Sequence, residues 1–286
     1  MKSLGGILYF VIFALGAFAL GAPFGAAANP VDEIAQAERA FASAAQEKGY
    51  ARSFYEYSSE DAIWFDPAPQ NVHDALREDL AKPISPSRLR WRPYFIGTAQ
   101  SQDFGFDYGP WYIENGHNKG WFFTIWQKQG ADWRFSIDGG TAIEGAASDF
   151  PNLAPLRQHN MPMPKYGQNN GNDLRRQDEA LNRALLSAQA HRRFVTSETI
   201  FATDGIETSL TANNRATHLS LRPKGEWRTL GMVAPSSADM LATYGTYYDE
   251  SHAAKGEFIR LWVQTGLLRP KYRLLIDIYK PRPANP

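Results

Sequence analysis

The residues of this chain that could do chemistry are carboxylates and phenols set among aromatic rings. Asp66 closes the run Trp64-Phe65-Asp66-Pro67. A carboxylate held in an apolar pocket is harder to ionise, so its pKa climbs toward neutrality and it can take up or give a proton there. An Asp-Pro pair is also an ordinary turn that caps a strand end, and both readings of Asp66 stand. Tyr108, Trp126 and Asp138 lie in ring-rich segments further on. Packed core positions are the simpler account of Tyr108 and Trp126; lining a small-molecule pocket is the other. Other chemistries are excluded by inventory. The chain has no cysteine, so it has no disulfide, thiolate metal site or thiol nucleophile. His73, His117, His159, His191, His218 and His252 show no metal-ligand spacing. No nucleophile elbow, phosphate loop, H-E-x-x-H or dinucleotide fingerprint occurs. Neither a metal nor a cofactor is expected.

Length and charge narrow the partner. The 286 residues carry 30 basic and 30 acidic side chains, which gives no reason to expect nucleic acid. Residues 1–28 read as an export signal: Lys2, an apolar stretch from Leu4 to Leu20, then Ala26, Ala27 and Ala28 as a cleavage site. No later stretch is long and apolar enough to span a bilayer. A periplasmic protein without a membrane segment in its mature form is the expectation. The aromatic fraction of 13%, with 8 Trp, 13 Tyr and 17 Phe, asks for a large core, a pocket, or a sheet buried on both faces.

The elements that must position these residues occur twice. Trp91, Tyr108, Gly109 and Trp126 recur as Trp227, Tyr244, Gly245 and Trp262, each 136 residues later. Asp66 matches Asp204 at an offset of 138, Asp138 matches Asp277 at 139, and Ala40 and Ala44 match Ala180 and Ala184 at 140. Offsets that drift in blocks are what a duplication with small loop insertions leaves. The expected organisation is a first domain at 29–144, a Pro/Gly/Asn linker at 145–172, and a second, more divergent domain at 173–286. Residues 1–172 carry 14 basic and 18 acidic groups, and residues 173–286 carry 16 and 12. Opposite signs on the two halves are a weak hint that they dock.

Within one unit, periodicity predicts helices first and strands afterwards. Asn29-Pro30 starts a helix that Gly49 stops; Tyr50 to Tyr57 and His73 to Ala81 are helical; Ala62 to Phe65 is a short strand. Leu89–Thr98, Phe104–Tyr112, Trp121–Lys128 and Trp133–Asp138 are strands. In the second unit, Leu174–Ala190 and a segment from His191 are helical, with strands at Ala216–Leu221, Trp227–Val233, Asp239–Tyr247, Gly256–Gln264 and Tyr272–Ile278. Trp121, Phe123 and Ile125 alternate with Phe122, Thr124 and Trp126, so this strand is apolar on both faces. One face should meet the unit's helices and the other the second unit. Asp138 then poses a problem of parity: if Phe135 and Ile137 share the inner face, Asp138 points outward. Asp277 does the same between Ile276 and Ile278. Outward, the two aspartates would meet arginines of the opposite unit; a bulge would return Asp138 to a pocket.

The runs Ala37-Glu38-Arg39-Ala40-Phe41, Glu60-Asp61-Ala62-Ile63-Trp64-Phe65, Phe104-Gly105-Phe106-Asp107-Tyr108-Gly109, Phe123-Thr124-Ile125-Trp126-Gln127-Lys128 and Trp133-Arg134-Phe135-Ser136-Ile137-Asp138 resemble the nuclear transport factor 2-like superfamily. The likeness is to its SnoaL-like branch with the DUF4440-type domain of unknown function, here in two tandem copies. The resemblance implies an α+β fold class: two tandem cone-shaped domains, each a curved antiparallel sheet wrapped on helices, forming an intramolecular pseudo-dimer. It implies a pocket at the open end of each cone. It implies little about activity, since isomerases, epoxide hydrolases, cyclases and plain binders share the fold. Ketosteroid isomerase, on this fold, uses a carboxylate base with hydroxyl and carboxylic-acid donors. The same roles would fall here on Asp66 as base, with Tyr108 and Asp138 as donors. Trp64, Trp126, Asp138, Asp204, Tyr244 and Trp262 are the candidate ligand contacts. The second unit has Ala202 and Thr203 where the first has Trp64 and Phe65, so the first should keep the larger site. The leading expectation is a binder of a small apolar or aromatic molecule; the rivals are a carboxylate-based enzyme and a non-catalytic interaction module.

Overall fold

The computed structural model describes residues 29–65, 68–145, 157–159, 171–184, 193–223, 225–265 and 271–282. Residues 1–28, expected to direct export, Asp66, His191 and most of the expected linker lie outside them. Helix α1 (Pro30–Lys48) starts where the Asn29 side chain accepts from the Val31 amide at 3.2 Å, with proline in the first turn. It ends at Gly49, whose φ of 85° favours glycine. There follow α2 (Tyr50–Tyr57), β1 (Ser58–Phe65), β2 (Pro69–Asn71) and α3 (Val72–Leu76). The helix expected over His73–Ala81 is thus short, with a separate 3-10 turn at Asp79–Ala81. The strand expected over Leu89–Thr98 is split into β3 (Leu89–Trp91) and β4 (Phe95–Thr98), because Pro93 has no amide to give to a ladder. Then come β5 (Phe104–Ile113), β6 (Asn118–Gln129), β7 (Asp132–Glu144) and β8 (Arg157–His159).

The second set is α4 (Gly171–Ala184), β9 (Ile200–Thr203), α5 (Arg215–Ser220), β10 (Glu226–Val233), β11 (Met240–Tyr248), β12 (Ala254–Thr265) and β13 (Lys271–Pro281). The strand expected at Ala216–Leu221 is wrong: this segment is α5. Its alternating pattern mimicked a strand, but tertiary bonds decide. His218 is fully buried, with its ring nitrogens 3.0 Å from Thr203 Oγ1 and 3.0 Å from Glu207 O. Arg215 donates to the carbonyls of Thr199 and Thr196, each at 2.5 Å.

One sheet has the order β2-β1-β7-β6-β5-β4-β8, with β3 also on β5; the other has β10-β11-β12-β13-β9. The sheets are mixed rather than purely antiparallel, since β1 runs parallel to β7 and β9 parallel to β13. The fold is α+β. The positions that recur in the sequence hold matched places in the two sheets. Tyr108 faces Phe123 and Tyr244 faces Ile259; Thr124 faces Asp138 and Arg260 faces Asp277. Both sheets slip at matched places, between Ile125 and Trp126 and between Leu261 and Trp262.

The two-sided apolar strands have the anticipated neighbours. Trp121, Phe123 and Ile125 join Ile259, Leu261, Ile276 and Ile278 in one core between the sheets. Phe41, Phe54, Trp126 and Phe135 form a second core with α1 and α2, and Leu174, Leu181, Trp262 and Leu274 form a third with α4. Two matched turns meet at the sheet ends. Ser101 and Ser237 hydroxyls lie 2.9 Å apart, Gln100 N donates to Asp239 at 3.1 Å, and Ser236 N donates to Asp103 at 3.3 Å. Gln102 and Ala238, 136 residues apart, both adopt positive φ, 59° and 50°. Reciprocal contacts of this kind define an isologous interface. Burial of apolar surface holds the sheets together, and charged groups reach across as well: the Glu207 carboxylate accepts from Trp121 Nε1 at 2.9 Å, and the Lys280 charge acts on Asp138. No described helix is long and apolar enough to cross a membrane.

Candidate functional site

The bulge that would turn Asp138 inward is present. Ile125 pairs with Ile137 and Trp126 with Phe135, leaving Ser136 as the extra residue. Phe135 therefore points to the helix-side core and Ile137 to the inter-sheet core. Asp138 returns to the side of Phe135 and enters a cavity of about 360 Å³. Its walls include Phe41, Tyr50, Trp64, Trp91, Trp111 and Phe122. Two glycines, Gly139 and Gly140, continue β7 along the cavity. A side chain on Gly140 would strike the Trp121 carbonyl, since an added Cβ would lie 2.2 Å from it.

Asp138 is enclosed by protein yet keeps part of its surface on the cavity. Burial pushes its pKa up to about 7, against the Thr124 hydroxyl, which donates to Oδ2 at 2.8 Å, and against the positive charge of Lys280. Lys280 comes from β13 of the second unit. Its ammonium donates to Gly140 O at 2.6 Å and lies 3.6 Å from Asp204, whose Oδ1 accepts from Ala142 N at 2.9 Å. The cavity mouth is thus built by both units.

Deeper in the first unit lie two further carboxyls that sequence reasoning missed. Glu38 is fully buried and accepts from Trp91 Nε1 at 2.5 Å and from Trp126 Nε1 at 3.2 Å. Burial raises its pKa to about 8, with the negative charge of Asp138 adding to the rise. Asp107, also fully buried, is pushed well above the carboxylate range by burial and by Glu38. Its pairing with Glu38 favours the neutral form of Asp107 and the ionised form of Glu38. A glutamate among the alanines of α1 reads as surface; only its spacing from Asp178, matching that of Ala40 from Ala180, could have marked it.

The other candidates are distributed as follows. Trp64 lines the cavity. Trp126 is buried behind it and holds Glu38. Asp204 does not line the cavity; it holds Lys280 and the Ala142 amide, and Lys280 and Ala142 do line it. Tyr108 is not a pocket donor. Period two places it with Trp121 and Phe123 in the inter-sheet core, where its hydroxyl donates to Thr208 Oγ1 at 2.7 Å. Burial raises its pKa, so it stays neutral. Tyr108→Phe should lower stability by about 0.5–1.5 kcal/mol in chemical denaturation and leave ligand affinity of the cavity unchanged. Tyr244 packs against the same inter-sheet core and edges onto Phe65 at 5.9 Å.

Trp262 lies in the second unit's interior, where Nε1 donates to Asp178 at 2.9 Å. That interior is filled by arginines. Arg260 Nη1 donates to Asp178 at 3.0 Å, and Arg222 Nε donates to Asp277 at 3.1 Å. Asp277 therefore meets arginines of its own unit, and Asp138 meets none; the expectation of pairing across the units fails because both strands carry the bulge.

A larger depression of about 690 Å³ lies outside α1, lined by Glu33, Tyr57 and Trp133. Its Glu33 is already held by Lys128 at 2.7 Å and Trp133 at 2.9 Å, so the aromatic cavity is the stronger candidate. Among the described residues no group of three His, Asp or Glu could hold a metal.

No family model matches the chain, and no curated protein does. Solved structures do. A nuclear transport factor 2-like protein of unknown function from Shewanella oneidensis MR-1 matches at 16% identity and a TM-score of 0.34, covering 39% of this chain and 98% of that one. Another from Pseudomonas putida KT2440 matches at 11% and 0.33, covering 44% and 96%. LinA matches at 14% and 0.31, covering 43% and 92%.

Proposed function

We propose that the first unit binds a small, flat, largely aromatic or apolar molecule in the cavity above Asp138. One observation carries this: a ring-walled space of about 360 Å³ ends on a carboxyl that is open to it, within the size range of small-molecule sites, which are mostly apolar with a few placed polar groups. The second unit supports the site. Its β13 supplies Lys280, and its own interior is occupied by Arg222 and Arg260. Native mass spectrometry of the mature protein, then denaturation to release any ligand, tests the reading. One small-molecule adduct per chain, displaced when Trp64 or Trp91 is replaced by alanine, is the expected result. Two equivalent adducts per chain would contradict the assignment to the first unit.

A second reading, proton transfer on that molecule, is favoured by the position of the Asp138 pKa, about 7. A carboxyl poised there can serve as general base or acid at neutral pH. Turnover that disappears in Asp138→Asn while binding persists would support it.

We also propose that residues 1–28 direct export to the periplasm, and that the chain is a tandem duplication with domains at 29–144 and 173–286 joined by 145–172. The small-residue run before Asn29 and the drifting offsets support this. N-terminal sequencing of the exported protein should read from Asn29.

A further inference from the structure

The second unit shows, in its own side chains, what the first unit's cavity is shaped to take. Arg260 is 1% exposed, so its guanidinium is an interior group. The guanidinium carbon lies 4.0 Å from the Phe258 ring centre and 5.3 Å from that of Trp227. Nη1 donates to Asp178 at 3.0 Å and to Asn182 at 2.7 Å, and Nε lies 3.6 Å from Asp277. It is a flat cation on aromatic faces between two carboxylates, an arrangement in which quadrupole attraction and charge-assisted hydrogen bonding act together.

Sheet register and helix spacing give the counterpart of each group in the first unit. Phe258 corresponds to Phe122, Trp227 to Trp91 and Asp277 to Asp138. Asp178 corresponds to Glu38, each accepting from the matched indole of Trp262 or Trp126. Both rings and both carboxyls are retained. The identities differ as follows: Glu38 stands for Asp178 and Asp107 for Thr243, while Thr124 replaces Arg260 and Ala42 replaces Asn182. The cation and its amide partner are gone, and Phe122, Trp91 and Asp138 now face a cavity.

From this correspondence we infer that the first unit's ligand is a small flat organic cation, an amidinium, a guanidinium or a protonated aromatic amine. Its charged end takes the place that the Arg260 guanidinium holds in the second unit. The inference rests on the ligand-binding reading above and names the class of ligand. Lys280 does not fill that place. It sits at the mouth, shared between the Gly140 carbonyl and Asp204. The titratable groups around the inner place are Glu38 from α1, Asp107 from β5 and Asp138 from β7, with Lys280 from β13 facing Asp138. Without a cation among them, burial favours the neutral form of each acid. An arriving cation must therefore displace protons, and its affinity must rise with pH.

Calorimetry on the full chain tests this with benzamidine, an amidinium, and benzamide, its neutral near-isostere, at pH 6 and pH 8. Benzamidine should bind on the order of tenfold tighter than benzamide at pH 8. Its affinity should rise on the order of tenfold from pH 6 to pH 8, with protons released to the buffer. Benzamide binding as tightly as benzamidine at both pH values would overturn the cation class and leave the cavity a ligand site. Binding of neither, with no thermal shift by either, would remove the class and count against the site itself. Thr124→Arg supplies a second arm by placing the missing guanidinium in the cavity. It should abolish benzamidine binding; undiminished binding would put the cation elsewhere and overturn the assignment.

Discussion

In an Asp138→Asn variant, the dependence of ligand affinity on pH between about 6 and 8 weakens, and the protein becomes more stable at pH 8. Both effects come from one carboxyl. Burial pushes Asp138 up to about 7, outweighing the Thr124 hydroxyl and the Lys280 charge, which pull the other way. An acid whose folded pKa lies above its unfolded value binds more protons when folded. Its contribution to stability is therefore present at low pH and is lost as pH rises from about 4 through about 7. Asparagine keeps the shape and can still accept from Thr124, but has no charge to bury. At pH 5 the variant and the parent should melt together within about 1 kcal/mol, and by pH 8 the variant should melt higher by several degrees. Stabilisation by removal of a polar group is the mark of a site kept for function at a cost in stability. Equal melting temperatures for parent and variant across pH 5 to 8 would show that Asp138 is ionised throughout, which sinks both the acid–base reading and the strain it implies. Ligand affinity supplies the second measurement. The variant loses one charge-assisted bond, worth about 1.5–3 kcal/mol, or roughly ten- to hundredfold.

How far this site could be read from the chain depended on which interactions decide each element. The repeat of Trp91, Tyr108 and Trp126 was legible because the two sheets keep the same large side chains at the same register. That same repeat located the inter-sheet face, since Trp121, Phe123 and Ile125 alternate with Phe122 and Trp126. Period two failed at Ser136, where one extra residue reverses the face of everything after it. A bulge leaves no mark in residue type, so Asp138 could be flagged but not placed. Tyr108, expected as a hydroxyl donor, lies on the inter-sheet side, away from the cavity. The segment after Asn214 alternated like a strand and folds as α5 because His218 and Arg215 find buried partners. Glu38 was hidden for the opposite reason. Helical glutamate is ordinarily solvated, and only two indoles from strands more than 50 residues away make it a buried acceptor.

Glu38→Gln should cross the parent in stability as pH rises. Glu38 accepts one indole on each oxygen, Trp91 on Oε1 and Trp126 on Oε2. Glutamine has a single acceptor oxygen, so one indole N–H must face an amide N–H and go unpaired. Loss of a buried hydrogen bond costs about 1–3 kcal/mol, and that deficit applies at every pH. Against it stands the burden of the parent's own carboxyl. Burial lifts Glu38 to about 8, well above the ordinary glutamate range near 4.3. Its favourable contribution is complete below about 4 and is lost progressively as pH rises to about 8, because the unfolded chain can ionise freely while the folded one cannot. Asp107 adds to the same slope, since burial and Glu38 both raise it. The variant has no charge to bury at this position and relieves Asp107 of its anionic neighbour, so its stability is the flatter function of pH. Near pH 4 Glu38→Gln should melt below the parent; the curves should meet between about pH 5 and about 6.5, and above that the variant should lead. The measurement is thermal unfolding at closely spaced pH values, with Glu38→Ala as a companion. Alanine leaves both indoles without an acceptor and empties space beside Phe41, so it should lie below Glu38→Gln throughout. A constant gap between parent and Glu38→Gln from pH 5 to pH 9 would mean that Glu38 does not titrate in the folded protein over this range. The indoles and the proton on Asp107 would then suffice to hold it as an anion, and the first unit would carry a permanent buried negative charge on which a cationic ligand could act without releasing protons.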